Sequence, residues 1–327
     1  MIDLPKLSDI DVSGKKVLLR LDLDCEPSQS SDLRLQSSVE TLDYLKSKNA
    51  EIIILGHRGR PSPKATAGEA DPSDWKELSL KPFQSIFDKW GARVEENLRF
   101  DPGEESNDPE YAKKLASLGD VYVNEAFASS HRKHSSIVGL PKLLPHAFGF
   151  RFIKEIENLS KIFMEPVRPL LFLISGLKKD KLDYINKFEV LADKILVGGR
   201  LPDLLGDRSL ESVRLQVNKK TIIGNLSMDK EDITLNTIDV FVNEVSKAGT
   251  IVLSGPLGKF EDEGHRQGTQ KVFEAVVANK NAFKIAGGGD TERAIALSKV
   301  EGFDWISVGG GAMLEFLAKK TLRCLEI

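Results

Sequence analysis

Short apolar segments alternate with segments of helical periodicity along most of this 327-residue chain. The apolar segments predict eight buried strands: Lys16–Leu23, Glu51–His57, Asp120–Phe127, Pro169–Ser175, Lys194–Gly199, Thr250–Gly255, Phe283–Ala286 and Trp305–Val308. The periodic segments predict helices over Val39–Asn49, Leu80–Trp90, Pro109–Leu118, Leu182–Ala192, Thr237–Lys247, Thr269–Asn279 and Thr291–Val300. This alternation is typical of an α/β protein whose parallel sheets are covered by helices on both faces.

A longer helical segment, Phe150–Phe163, lies near the middle of the chain and carries one apolar stripe, Ile153, Ile156, Leu159 and Ile162. We interpret it as a helix that joins two α/β halves, the alternative being an ordinary crossover helix within one sheet. The chain length also favours two domains. We therefore predict an N-terminal domain over 1–149, an interdomain helix over 150–165, a C-terminal domain over 166–315 and a tail over 316–327.

The composition excludes several classes of function. A net charge of −3 argues against a general binder of nucleic acid or acidic membranes, so any anion site must be a local cluster of basic residues. The longest apolar runs, such as Pro169–Ile174, are too short to span a bilayer. Cys25 and Cys324 do not make a disulfide framework, which favours a reducing cytoplasm. Segment Ser62–Trp75, rich in Pro, Ala, Gly and Asp, is expected to be an exposed, mobile loop.

Two glycine triplets follow predicted strands and precede predicted helix starts. They lie in Ile285–Thr291, where Asp290 follows the glycines, and in Val308–Ala312. Glycine lets the backbone approach a ligand closely, and a helix N-terminus favours phosphate. Asp290 is placed to hold a metal ion against that phosphate. One such triplet is often a simple turn, but two in succession favour phosphate binding.

Basic residues follow several strands of the first half, where parallel strands present their carboxyl ends at one edge. These residues are Arg34, His57, Arg60, Arg99 and Arg132. A single arginine at a strand end is usually a surface residue, and His134 taken alone is a packed or capping residue. The cluster as a whole predicts a pocket for a small, multiply charged anion, because guanidinium groups pair with carboxylate and phosphate.

The second half adds Lys178 and Lys181, which follow a buried strand, and the glycine-containing segment Ser254–Glu261. Lysines at a helix start are as often solvated as phosphate-binding. No Walker P-loop occurs, and no G-x-G-x-x-G fingerprint opens the first βα unit, which lowers the expectation of a nicotinamide dehydrogenase. An anion pocket in one half and a metal–polyphosphate site in the other predict a kinase that acts on a small acid.

Together these motifs resemble those of the phosphoglycerate kinase family over nearly the whole chain. The matching segments are Leu19–Asp24, Gly56–Pro61, Glu96–Phe100, Pro102–Glu105, Tyr122–Phe127, His131–Ser136, Gly255–Glu261, Gly287–Thr291 and Gly309–Glu315. The resemblance implies two Rossmann-like, doubly wound parallel-sheet domains joined by a hinge helix, whose closure excludes water.

The resemblance also implies roles for individual residues. The 3-phosphoglycerate pocket would consist of Asp22, Asp24, Arg34, His57, Arg60, Arg99 and Arg132. The nucleotide site would consist of Lys178, Lys181, Gly198, Gly258, Glu261, Gly287, Gly288, Gly289, Asp290 and Thr291, with Mg²⁺ at Asp290 and the ribose at Glu261. The catalytic groups around the transferred phosphoryl would be Arg34, Lys178, Gly288 and Gly311.

Several positions depart from the family pattern. Asp24 stands where the family has an asparagine that touches substrate, and Arg200 stands where it has a third glycine. Lys178 and Lys181 are three apart rather than four, Ser254 replaces an asparagine, and Asp232–Leu235 replaces Asp-Ile-Gly-Pro. The chain is also shorter than the family norm, with losses between Trp90 and Glu96 and between Arg200 and Asp232. The second loss removes material near the adenine pocket.

The resulting expectation is a reduced phosphoglycerate kinase with ATP/ADP as co-substrate, Mg²⁺ as cofactor, small-molecule substrates as its only partners, and a monomeric, cytoplasmic state. The alternatives are a non-catalytic binding or regulatory relative, and a kinase of a different small acid. Only Asp24 supports the last.

Overall fold

The computed structural model describes residues 4–28, 32–61, 76–205 and 220–327, so the predicted loop Ser62–Trp75 lies outside the described residues. The chain divides into two compact units. Unit 1 consists of Met1–Glu157 together with Thr321–Ile327, and unit 2 consists of Asn158–Lys320. Each unit is built on one sheet whose strand pairs are all parallel. The predicted α/β class with two parallel-sheet domains is confirmed.

Unit 1 contains a five-stranded sheet in the order β3-β2-β1-β4-β5. Its strands are β1 (Lys16–Arg20), β2 (Glu51–Leu55), β3 (Arg93–Val94), β4 (Val121–Asn124) and β5 (His146–Phe148). Its helices are α1 (Leu33–Ser37), α2 (Val39–Ser47), α3 (Gln84–Phe87), α4 (Gly103–Ser106), α5 (Pro109–Ala116) and the start of α6 (Phe150–Met164). Val17 and Leu19 pack into one apolar cluster and Leu18 into another, so β1 is buried on both faces.

Unit 2 contains a six-stranded sheet in the order β11-β10-β9-β6-β7-β8. Its strands are β6 (Leu170–Ile174), β7 (Lys194–Val197), β8 (Thr221–Ile223), β9 (Thr250–Ser254), β10 (Phe283–Gly287) and β11 (Trp305–Ser307). Its helices are α7 (Leu182–Phe188), α8 (Leu201–Leu204), α9 (Leu235–Lys247), α10 (Gln267–Ala278), α11 (Gly289–Ser298) and α12 (Gly310–Lys319). The central strands β6 and β9 are buried along their whole length.

The unit boundary at Glu157 and Asn158 falls inside α6, the helix predicted over Phe150–Phe163. The first turn of α6 is capped by the buried Glu125 carboxylate, which accepts the N–H groups of Arg151 at 3.1 Å and Phe152 at 2.8 Å. Burial raises the pKa of Glu125 to about 7, although the hydrogen bonds that it accepts from Thr41 and from these amides act to lower it. A helix N-terminus leaves such N–H groups unpaired, so this residue fixes where α6 begins.

One predicted helix is wrong. The segment Leu80–Trp90 is not a single helix but a 3₁₀ turn at Lys81–Phe83, then α3, then a 3₁₀ turn at Asp88–Trp90. Pro82 opens the first turn, and Gly91, in the left-handed region at φ 68°, closes the last. No helix in the described ranges is both long and apolar enough to cross a membrane.

Candidate functional site

The carboxyl ends of β1, β2, β3 and β4 meet at one edge of the unit 1 sheet, and the predicted basic residues follow these strands. His57 and Arg99 are buried there, Arg132 is half-buried and Arg60 is exposed. Burial, and then the charge of Arg132, lowers the pKa of Arg99 to about 10. Burial and the charge of Arg60 lower the pKa of Arg132. The structure therefore brings these cations within electrostatic reach of one another.

Some donors of this cluster remain unused by the protein. Arg99 Nη2 and Arg132 Nη1 are buried and have no hydrogen-bond partner among the described residues. Arg99 does form an ion pair through Nε with Glu105 at 3.1 Å and donates through Nη1 to the Gly59 carbonyl. Cations that repel one another, with buried donors that lack acceptors, destabilise the folded protein unless an anion binds to them. The cluster is thus suited to a small ligand with several negative charges.

His57 is held neutral within this cluster. Arg20 Nη2 lies 2.8 Å from His57 Nδ1, and a guanidinium can only donate, so Nδ1 accepts and the ring proton resides on Nε2. Burial, followed by the charges of Arg20 and Arg99, lowers the pKa of His57 well below its ordinary value. Sequence reasoning assigned no role to Arg20, although it stands in the matching segment Leu19–Asp24. Its contact with His57 Nδ1, made by a fully buried guanidinium, shows that it positions His57.

Asp22 and Asp24 lie in different environments. The buried Asp22 carboxylate accepts the Ala128 N–H at 2.7 Å and the Ser129 hydroxyl at 2.6 Å. Burial raises the pKa of Asp22 from its ordinary value. Asp24 is exposed, and its Oδ1 accepts the Gly59 N–H at 2.7 Å. Asp22 therefore ties two loops together, whereas Asp24 keeps a carboxylate at the solvent-facing side of the basic cluster, where it acts electrostatically on Arg99 and Arg132.

Arg34 is rigidly held at the start of α1. Its Nε and Nη2 donate to the two oxygens of Asp32 at 2.9 and 2.7 Å, and its Nη1 donates to the Asp24 carbonyl. Burial alone would lower the pKa of Arg34, but the Asp32 ion pair outweighs burial and raises it. The bidentate pair fixes the plane of the Arg34 guanidinium, so the group is already oriented when a second anion binds to it.

In unit 2, the predicted lysines follow β6. Lys178 is exposed. Lys181 Nζ donates to the carbonyls of Ser175 at 2.7 Å and Ser254 at 3.1 Å. Burial is the main cause that lowers the pKa of Lys181 to about 8; Asp290 opposes that effect and Lys178 adds to it. Lys181 is therefore a half-buried, partly desolvated cation at the carboxyl edge of this sheet.

The glycine triplets come together beside these lysines. A Cβ on Gly310 would lie 2.7 Å from Gly288 Cα, so the backbones of the two junctions pass in direct contact. Gly288 has φ 108°, a conformation open to glycine. The Thr291 hydroxyl accepts the Gly255 N–H at 2.8 Å and donates to the Gly287 carbonyl at 2.9 Å, so it links these loops. Gly289, Asp290 and Gly311 are exposed.

A pocket of about 390 Å³ lies within unit 2 at this edge. The residues that line it are Gly176, Leu177, Gly199, Arg200, Glu231, Pro256, Gly258, Lys259, Phe260, Glu261, Asp290 and Arg293. It includes the predicted Gly258, Glu261 and Asp290. The other predicted nucleotide-site residues are not among the lining residues: Lys178, Lys181, Gly198, Gly287, Gly288, Gly289 and Thr291. Sequence reasoning missed the charged side chains Glu231, Lys259 and Arg293, and noted Arg200 only as a departure.

Asp290, the residue predicted to hold a metal ion, is one of three carboxylates that line this pocket, with Glu231 and Glu261. Its Oδ1 accepts Arg293 Nη2 at 2.6 Å, and the side chain is half exposed. In the part of the chain that the structure describes, no group of three or more His, Cys, Asp or Glu side chains is arranged to hold a metal. This fits Mg²⁺ carried by a polyphosphate, which needs only one or two protein carboxylates; it does not fit an all-protein metal cage.

A buried basic cluster on one parallel sheet and a glycine-rich, lysine-bearing pocket on another define a phosphotransferase for small anionic substrates. The family model described as phosphoglycerate kinase matches residues 7–95, 92–207 and 207–320. With this match over nearly its full length, the chain belongs to the phosphoglycerate kinase family.

Individual relatives agree with this assignment. The chain is 34% identical to the phosphoglycerate kinase of Dictyoglomus turgidum, over 97% of this chain and 96% of that protein. It is 32% identical to that of Thermus thermophilus, over 98% of both chains. It also resembles the solved structure of phosphoglycerate kinase from Coxiella burnetii, with a TM-score of 0.81, 26% identity, and coverage of 99% and 98%.

Proposed function

We propose that the protein transfers a phosphoryl group reversibly between 1,3-bisphosphoglycerate and ADP, giving 3-phosphoglycerate and ATP. The observation that carries this proposal is the basic cluster of unit 1, whose buried Arg99 and Arg132 nitrogens lack partners among the described residues. A ligand with a carboxylate and a phosphate supplies the acceptors and the negative charge that these groups need. Family membership supports the same substrate.

Unit 1 binds the phosphoglycerate in this proposal. Arg60, Arg99 and Arg132 neutralise its phosphate and carboxylate, and His57 donates through Nε2. Asp22 acts indirectly: its bonds to Ala128 and Ser129 hold the loop that carries Arg132. Arg34, fixed by Asp32, stabilises the transferred phosphoryl group. Asp24 also lies in this pocket in the proposal, where its carboxylate repels the negatively charged substrate.

Unit 2 binds the nucleotide. Lys181 and Lys178 supply positive charge to the phosphates, and the junctions at Gly287–Gly289 and Gly309–Gly311 supply backbone N–H groups at two helix starts. Glu261 contacts the ribose. Asp290 would hold Mg²⁺, which neutralises phosphate charge when bound.

The chemistry needs no general base in the ATP-forming direction. A terminal oxygen of ADP attacks the acyl phosphate, the bond between phosphorus and the carboxyl oxygen breaks, and the carboxylate leaves with the bonding electrons. The residues named above therefore position and neutralise, and move no proton. Arg34, Lys178, Gly288 and Gly311 are the groups assigned to the transferring phosphoryl.

The test is an assay of ATP-dependent acyl-phosphate formation from 3-phosphoglycerate by the full chain with Mg²⁺. We expect turnover with the wild type and a loss of about 10²-fold or more in turnover with Arg34→Ala, because its charge acts where phosphoryl charge develops. Arg93→Ala is the matched control, since Arg93 is an exposed arginine of β3 that pairs with the neighbouring Glu95. Binding of both substrates without turnover would instead indicate a non-catalytic relative.

We also propose that the protein acts as a monomer in the cytoplasm. Support comes from the two cysteines, Cys25 and Cys324, which are buried and unpaired, a state typical of a reducing compartment. Its partners in this proposal are small molecules. Sedimentation of the full chain at two concentrations would check the monomeric state.

A further inference from the structure

The unit 2 pocket contains an oppositely charged pair, Arg200 and Glu231, in addition to the groups expected to bind phosphate. Arg200 Nη1 lies 3.4 Å from Glu231 Oε1, and Nη2 lies 3.3 Å from Asp203 Oδ2. We propose that Arg200 and Glu231 read the base of the nucleotide and favour guanine over adenine. This inference rests on the proposed function, in which the pocket binds the nucleotide.

The position of the pair along the sheet assigns it to the base rather than the phosphates. The phosphate-binding junction with Gly288 and Asp290 follows β10, whereas Arg200 follows β7. The sheet order places β9 and β6 between them, so three strand spacings of about 4.8 Å separate the two points. An extended nucleoside diphosphate covers a distance of this order, which brings its base to Arg200 when its phosphates occupy the glycine junction.

The pair is held on fixed backbone. The Arg200 N–H donates to the Gly176 carbonyl at 3.1 Å. The Glu231 carbonyl accepts the Lys259 N–H at 2.8 Å, and the Glu231 N–H donates to Asp229 Oδ1 at 3.1 Å. Both side chains are about one-third exposed, so they reach the pocket from anchored positions. A fixed donor next to a fixed acceptor can discriminate between bases.

The guanidinium has donor capacity left for a ligand. Its two ion-pair contacts are longer than the ~2.7–2.9 Å of a strong charge-assisted bond. Arg200 Nε is buried and has no hydrogen-bond partner within the described residues. The Arg200 side chain is 38% exposed although Nε is buried, so the Nη groups, which make only these two long contacts, are the donors open to a base that offers acceptors.

Guanine matches both members of the pair. Its O6 and N7 are acceptors that suit an arginine fork, and its N1–H and N2–H₂ groups are donors that suit a carboxylate. Adenine carries an amino donor where guanine has O6, so it presents a donor to Arg200 and can satisfy Glu231 through that amino group alone. Guanine therefore forms two charge-assisted pairs where adenine forms one.

The experiment is calorimetric titration of the full chain with the Mg²⁺ complexes of ADP, GDP and IDP, without turnover. We expect GDP to bind about tenfold more tightly than ADP, with IDP between them, because hypoxanthine keeps O6 and N7 but lacks the 2-amino group. Arg200→Met should bring GDP and ADP within about twofold, and Glu231→Gln should bring GDP and IDP together.

Lys230→Met is the matched control. Lys230 pairs with Asp203 and does not line the pocket, so its loss removes one neighbouring positive charge and should leave the GDP to ADP ratio unchanged. Equal or tighter binding of ADP by the wild type overturns the inference and leaves the proposed function standing. Binding of none of the three nucleotides overturns both. The inference is also overturned if folded Arg200→Met keeps the wild-type GDP to ADP ratio and Glu231→Gln keeps the wild-type GDP to IDP ratio. Any base preference would then come from other residues.

Discussion

At the scale of single residues, Asp24 is notable because it places a carboxylate beside the basic cluster that is proposed to bind the substrate. Its Oδ1 accepts the Gly59 N–H, a bond that an asparagine oxygen also accepts, so Asp24→Asn changes charge with little change in geometry. We expect the variant to bind 3-phosphoglycerate about fivefold more tightly at neutral pH, since two like charges ~4 Å apart in water repel by about 1 kcal/mol. Calorimetric titration measures the change.

A control for long-range charge is Asp11→Asn. Asp11 is exposed, precedes β1 at the amino edge of the same sheet, and pairs with Lys15. Removal of this charge should leave the affinity for 3-phosphoglycerate within about twofold of the wild-type value, because salt screens exposed charges beyond ~10 Å. Weaker binding by Asp24→Asn would show that the pocket depends on this carboxylate, and would favour a substrate other than 3-phosphoglycerate.

We expect Lys181 to make nucleotide binding depend on pH. The group is cationic below its pKa of about 8 and neutral above it, so phosphate affinity should fall as pH rises through that value. If bound phosphate raises this pKa by about one unit, ADP affinity falls about tenfold between pH 7 and pH 10. ADP titrations across this range test the expectation. Lys181→Arg should flatten the profile because guanidinium stays charged, whereas Lys178→Arg should retain it.

The same residue affects stability with a defined sign. The folded-state pKa of Lys181 lies below its ordinary value of 10.5, so between about pH 8 and 10.5 the unfolded chain binds more protons than the folded chain. The contribution of Lys181 to the free energy of unfolding therefore rises with pH between about pH 8 and 10.5. Ligand affinity and stability thus change in opposite directions, which separates loss of binding from unfolding.

At the scale of elements, every predicted strand has a counterpart, but β3, β5 and β8 were not predicted. These three strands have two or three residues each, too few for a pattern of burial to appear in the sequence. β1, β6 and β9 were predictable because they lie inside their sheets and each contains at least three consecutive apolar residues. The broken helix around α3 was missed because its periodicity persists across two 3₁₀ turns.

The contact between the glycine junctions predicts opposite results for two similar substitutions. A Cβ on Gly310 would meet the Gly288 backbone at 2.7 and 3.1 Å, whereas a Cβ on Gly289 has no neighbour within 4 Å. We expect Gly310→Ala to lower the free energy of unfolding by about 1–3 kcal/mol, as overpacking against backbone does. Gly289→Ala should change it little or raise it by up to about 1 kcal/mol. Chemical denaturation without ligand measures both; equal destabilisation would contradict the contact.

At the scale of the whole molecule, the order of motifs predicted more than any single motif. Each motif alone is a modest signal, as with Leu19–Asp24, Gly56–Pro61 and Gly287–Thr291. Their order along the chain predicted the family and the two-sheet architecture. What remained hidden were contacts made by folding, such as Arg20 with His57 and Arg200 with Glu231, which are 37 and 31 positions apart. Local patterns carry no information on such distant pairs.

The proposed division of ligands between the two units yields a test on the intact protein. Asp290 lies in unit 2, where the metal is expected to be the largest local charge. Asp290→Asn should weaken binding of Mg²⁺·ADP by about tenfold or more, as the loss of a metal-supporting group does, and leave 3-phosphoglycerate affinity within about twofold. Separate calorimetric titrations of the two ligands check this. Glu274→Gln is the charge-matched control, because Glu274 is a half-exposed acid on α10 that does not line the pocket; it should leave both affinities unchanged. Equal losses for both ligands in Asp290→Asn would rule out independent sites, because a metal-linked group in one unit can reach the other ligand only through coupling of the two sites.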